Sequence, residues 1–189
     1  PAQFLYAGEK KIELFKLEGS QNREAGKKGK APRKVKTLEN ASLTDIDPDK
    51  FLEISRELLA VDTGLVLNSS QFIFNIFEFE KLPLQPNLRR ELVEWRLKKV
   101  FPENIADYWH EYYKLGRKRV LSILFRKHVK DRIEDLFKTN NISLTFMGNS
   151  TVQIINRMAR SKKNAPDFFI EVDGPLVIAV FLDNGSPYY

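Results

Sequence analysis

Cysteine is absent from this 189-residue chain, and histidine occurs only twice. Without thiols there is no disulfide framework, no Cys-ligated zinc and no thiol nucleophile, and the composition suits a reducing compartment. Neither His110 nor His128 has a second histidine at metal-ligand spacing, and no His-Glu-x-x-His pattern exists, so no metal is expected. The chain also lacks a Gly-x-Ser-x-Gly elbow and a Gly-x-x-x-x-Gly-Lys phosphate loop. No apolar run approaches the ~18 residues of a membrane span, and no signal peptide is visible. The chain reads as soluble. Carboxylates are plentiful, but Glu78 and Glu80, or Asp131, Glu134 and Asp135, read as solvated faces. No constellation is catalytic on this reading, so no enzyme and no cofactor are expected.

Hydrophobic residues make up 42% of the chain and phenylalanine alone contributes 14, enough for a filled core in one domain or two small subdomains. The net charge is +6, but it is concentrated. Arg23, Lys27, Lys28, Lys30, Arg33, Lys34 and Lys36 face a single acid, Glu24, an excess equal to the whole net charge. The pI of about 9.4 therefore describes one stretch, not a basic domain. Its Gly/Ser/Lys composition with Pro32 reads as a surface loop over 19–36, suited to an anionic membrane surface or an acidic partner. Nucleic-acid surfaces interleave basic and aromatic side chains, and this stretch has no aromatic residue, so nucleic acid is not an expected partner.

Strands and helices alternate, which predicts an α/β (α+β) fold. Phe4 to Leu17 reads as a hairpin turning at Ala7-Gly8-Glu9-Lys10, and Val35 to Leu38 as a short strand. Asp47-Pro48 is a helix start, with apolar spacing up to Ala60; Asp62-Thr63-Gly64 then turns into Leu65-Val66-Leu67. Gln71 to Phe79 is an aromatic strand. The helix Asn87–Val100 carries two apolar rows, Leu88/Leu92/Trp95 and Val93/Leu97/Val100, so it is expected to lie flat on a sheet. Strands follow around Tyr108–Tyr112, Arg119–Phe125 and Ile142–Met147, with helices at His128–Thr139 and Thr151–Ala159. Phe168–Val172 and Leu176–Leu182 form a last hairpin around Asp173-Gly174-Pro175, and Asp183-Asn184-Gly185 turns into one more strand. The first residue is Pro1, not Met, and the chain ends just after that turn, so a longer reading frame is expected.

The order of pieces from Phe72 to Met158 resembles a known group. A strand closes in Phe77-Glu-Phe-Glu-Lys-Leu-Pro83. The helix Leu88-Arg-Arg-Glu-Leu-Val-Glu-Trp95 follows, then Val100-Phe-Pro-Glu103 and an aromatic strand at Tyr108–Tyr112. Val120-Leu-Ser-Ile-Leu-Phe125, a helix and Asn141-Ile-Ser-Leu complete the order. It is similar to the actin-like cytoplasmic proteins of type IV pilus and type II secretion inner-membrane platforms, the PilM and GspL group. The resemblance implies an actin-like fold on a ribonuclease-H-like sheet with an inserted small α+β subdomain. It implies boundaries at 1–65 (first half of the core, with the basic loop), 66–125 (insert) and 126–189 (return to the core). It further implies a cytoplasmic scaffold peripheral to the inner membrane, binding a membrane-anchored assembly protein and motor components.

Relatives of this kind that bind ATP cradle phosphates in two hairpins. Here both are degenerate: Gly8 is followed by Glu9 with no hydroxyl, and Asp173-Gly174 by Pro175, which lacks an N–H donor. The expected reading is a nucleotide-free scaffold. The alternatives are an actin-like ATPase whose site is completed by further sequence or a partner, and, more remotely, a ribonuclease-H-like nuclease. For partner capture, the alternation of the aromatic strand singles out Phe72, Phe74, Phe77 and Phe79: either one set lines a groove for a short apolar peptide, or helices cover both faces and all four are core.

Overall fold

The mostly apolar stretch Gln3-Phe-Leu-Tyr-Ala becomes β1 (Gln3–Ala7), with every second residue (Gln3, Leu5 and Ala7) buried. A computed structural model describes residues 3–17, 32–58, 62–101, 104–160, 168–173, 176–183 and 186–188. β1 pairs antiparallel with β2 (Lys11–Lys16), and β2 with β3 (Arg33–Glu39). On its other side β1 pairs in parallel with β4 (Thr63–Leu67), which pairs in parallel with β8 (Leu144–Asn149). The five-stranded order is β3-β2-β1-β4-β8. The register sets Leu5 opposite Leu14 and Leu65, and Ala7 opposite Ile12 and Leu67, so all six share one face, and all six are buried. Helix α1 (Pro48–Ser55) adds Phe51 and Ile54, and α3 (Lys127–Thr139) adds Ile133 and Phe137. The Phe51 and Phe137 rings meet at 5.5 Å.

Asp47 caps α1, its side chain accepting the Asp49 N–H at 2.9 Å. The helix stops at Ser55, short of the expected Ala60, because its hydrogen bonds tighten. Glu57 and Leu58 donate to Ile54 and Ser55, three residues back instead of four. Leu59 and Ala60 lie outside the described residues. Asn141, at φ 55, ends α3 as expected, and the Ile142 N–H donates to the Phe137 carbonyl.

The basic loop is shorter than expected at its C-terminal end. Arg33 and Lys34 belong to strand β3, opposite Lys16 and Phe15. A register shift between Leu14 and Phe15 lets the ladder continue, and the Lys34 amine reaches Glu13 at 2.9 Å. Composition cannot show that partner. Lys27, Lys28 and Lys30 lie outside the described residues. Thr63 and Gly64, expected as a turn, instead open β4 and pair with Gln3 and Phe4.

A second sheet follows in sequence order: β5 (Phe72–Glu78), β6 (Tyr108–Leu115) and β7 (Arg119–Arg126), all antiparallel in the order β5-β7-β6. Gly116, at φ 67, makes the turn between β6 and β7. Helix α2 (Pro86–Val100) packs Val93 and Leu97 into a core with Phe77, Leu82, Tyr108, Val120 and Leu124. Helix α4 (Ser150–Arg160) follows β8. A third sheet holds β9 (Phe168–Asp173), β10 (Leu176–Asp183) and β11 (Ser186–Tyr188) in the order β11-β10-β9. The chain divides into two compact units: Pro1–Ser69, Asp131–Val152 and Asp173–Pro175 in one, and Ser70–Lys130, Gln153–Val172 and Leu176–Tyr189 in the other.

Candidate functional site

Period-two alternation splits the aromatic strand between two environments. Ile73, Phe77 and the following Phe79 point to the side where α2 lies; Phe77 is 7% exposed, and Ile73 and Phe79 pack against the same core. Phe72, Phe74 and Ile76 share the opposite face, each half-buried. The ladder puts Phe72 opposite Phe125 and Phe74 opposite Ile123, with Phe72 stacked on Phe125 at 4.8 Å and 6.4 Å from Phe74. Of the four phenylalanines marked by the sequence, Phe77 and Phe79 therefore belong with the core, and Phe72 and Phe74 stay together on the other face. α2 covers one face only with Val93 and Leu97. Leu88 and Trp95, expected to pack on the sheet, are instead about half exposed, as is Val100, while Leu92 packs against the core.

At one end of this sheet lies a cavity of about 230 Å³, with Ile73, Leu124 and Val129 among its apolar walls and Ser70, Gln71 and Arg126 at its polar side. That is smaller than the ~300–1,000 Å³ of pockets for drug-sized ligands, and suits a side chain of a peptide better than a nucleotide. No local pattern marks it in the sequence, because its walls come from three separate segments. Beneath α2, Asn75 and Ser122 face each other across the ladder, and the Asn75 amide nitrogen and Ser122 hydroxyl are buried without a hydrogen-bond partner. His110 lies 3.5 Å from Glu94 of α2.

The first hairpin is closed by the Gly8 N–H, which donates to the Lys11 carbonyl at 2.8 Å. An N–H that a phosphate would need there is thus already engaged. Asp173 ends β9, while Gly174 and Pro175 lie outside the described residues. A polar cluster unmarked by the sequence reading sits where β8 meets α4. Asn149 accepts the Val152 N–H at 3.0 Å as the helix cap, and the buried Ser69 hydroxyl contacts Asn149, Ser150 and Thr151. Asn-Ser-Thr directly after an apolar strand was the available signal. These groups satisfy one another.

Electrostatics add two features. Burial pushes the Glu13 carboxyl up, but the Lys34 hydrogen bond and the Lys11 charge outweigh it and hold it below the usual value. Burial, with the 2.6 Å hydrogen bond to Glu111, pushes the Tyr113 hydroxyl up to about 12. Among the described residues no helix is long and apolar enough to cross a membrane.

No protein-family model matches the sequence, and a search of the curated proteins finds no match. Solved structures do match. The cytoplasmic domain of EpsL, an inner membrane component of the type II secretion system of Vibrio cholerae, aligns with a TM-score of 0.63 and 11% identity. That alignment covers 98% of this chain and 69% of EpsL's. A chain from the PilM–PilN type IV pilus biogenesis complex aligns with a TM-score of 0.72 and 13% identity, over 100% of this chain and 60% of the other. This chain thus spans less than two thirds of that protein's length. At such identities the likeness is one of fold, and the fold is the actin-like one of the PilM and GspL cytoplasmic domains.

Proposed function

We propose that this chain is a non-catalytic scaffold of a pilus-assembly or type II secretion platform, held at the cytoplasmic face of the inner membrane by a membrane-anchored partner. The observation that carries the reading is the match of the whole chain to a protein solved within a pilus biogenesis complex. Two local features support it. The Gly8 N–H is spent within its own turn beside Glu9, which would repel a phosphate. The half-buried Phe72/Phe74 face and the side-chain-sized cavity on the same sheet offer apolar recognition of a short peptide. Motor components are further partners on this reading, and the basic stretch 23–36 offers a cationic contact to an acidic partner or surface.

The test is isothermal titration with synthetic peptides that tile the cytoplasmic segment of the PilN-type membrane protein from the same genome. Saturable binding, lost in Phe74→Ser while melting is little changed, is the expected result. No binding by any peptide overturns the reading. A parallel titration with Mg-ATP is expected to give no saturable heat; a thermal shift growing with ATP would favour the actin-like ATPase instead.

A further inference from the structure

Both apolar rows of helix α2 are divided: Leu92 packs against the core beside Val93 and Leu97, while Val100 is 49% exposed. Val93 and Leu97 are fully buried, whereas Leu88 is 47% exposed, Trp95 50% and Leu84, just before the helix, 90%. At 100° per residue Leu88, Trp95 and Lys99 lie within one narrow outward sector, with Lys98 and Glu91 beside them. Leu84 is held close to the start of the helix, since the Arg89 guanidinium binds the Pro83 and Leu84 carbonyls. Leu88 and Trp95 therefore fall on one line along the helix axis, with Leu84 exposed just before it.

Its charge is one-sided. From Trp95 to Val100 the helix carries Arg96, Lys98 and Lys99 and no acid. Of its two acids, Glu94 turns towards His110, which leaves Glu91 as the acid of the outward sector. The Lys99 amine sits 3.8 Å above the Trp95 ring, so cation and indole form one amphipathic unit.

We propose that the outward face of α2 lies on an anionic lipid surface. Indole rings favour the headgroup level of a bilayer, and lysine stems can lie along apolar surface while their amines stay among phosphates. Leucines on the same line enter the acyl boundary, as in a helix lying flat in the interface. The inference uses none of the residues assigned to peptide capture and stands apart from that reading.

The experiment uses the full chain and co-sedimentation with vesicles of phosphatidylcholine, alone or mixed with phosphatidylglycerol. Binding is expected only to the mixed vesicles, and to fall with salt. At about 1 kcal/mol for each lysine near an anionic surface, Lys98→Gln/Lys99→Gln is expected to weaken partitioning roughly 25-fold. Leu88→Gln/Trp95→Gln is expected to weaken it as well, with melting unchanged because both side chains are exposed. In a Trp109→Phe background Trp95 is the single indole, and its emission should shift to the blue and be quenched by brominated lipid. Absence of binding to mixed vesicles overturns the proposal. So does binding that both double variants leave intact, which would place the contact elsewhere, as in the stretch 23–36. A lipid-free dimer abolished by Leu88→Gln/Trp95→Gln would assign the face to a second copy and equally overturn it.

Discussion

Glu13 sits on β2 with 8% of its surface exposed, flanked by the Lys34 amine at 2.9 Å and the Lys11 amine at 3.4 Å. Its carboxyl is held below the ordinary 4.5. A group whose pKa is depressed on folding stabilises the native state above the unfolded pKa, and that contribution is lost as pH falls through the folded one. Lys34→Met is therefore expected to cost about 1 kcal/mol near neutral pH, since the lysine itself is largely exposed. It should cost less once Glu13 is protonated in both states, so the acid limb of the stability profile should become shallower. Urea melts at pH 7 and pH 3 check this. An equal cost at both pH values would mean that the pair contributes nothing.

At the scale of single elements, β5 separates core from surface within seven residues. Phe77, in the core with Val93 and Leu97, is expected to cost roughly 3–5 kcal/mol on change to Ser, whereas Phe74→Ser should cost about 1 kcal/mol. Chemical melts of the two variants decide it; similar losses would mean that the Phe74 face is packed like the other. The strand itself was legible, because alternation is a local property. So was the start of α1, because Asp47-Pro48 carries its own cap. The facing of α2 was not legible. Two apolar rows a helix-width apart read as one wide arc, and only the sheet beneath chooses Val93/Leu97 over Leu88/Trp95. Lys34 failed for a related reason: lysine among glycines and lysines reads as loop until Glu13, across the ladder, gives its amine a partner. The cavity at Ser70, Leu124 and Val129 was invisible because no sequence window contains its walls.

Over the whole molecule, the sheet that holds Leu5, Leu14 and Leu65 joins segments far apart in sequence. β4 pairs in parallel with β1, some 60 residues before it, and with β8, some 80 residues after it. The residues between β4 and β8 include the whole β5-β7-β6 sheet, whose β6 and β7 are joined by a tight turn at Gly116. The excess charge of the molecule is likewise concentrated in 23–36, of which Arg33, Lys34 and Lys36 lie on β3.

That topology has a consequence during synthesis. At ~5–20 residues per second, roughly 4–16 s separate the emergence of β4 from that of β8. Throughout that interval Leu65 and Leu67 lie on a strand with one edge unpaired, an open template for a neighbouring chain. The β5-β7-β6 sheet closes its own ladder before β8 exists. Ribosome-stalled chains in which Ser143 is followed by a linker that fills the exit tunnel are thus expected to show slow amide exchange across β5 and β7 while β4 amides that would bond β8 exchange freely. Equal protection of both would mean that another partner guards the β4 edge, and a need for chaperone cover in the interval would disappear with it.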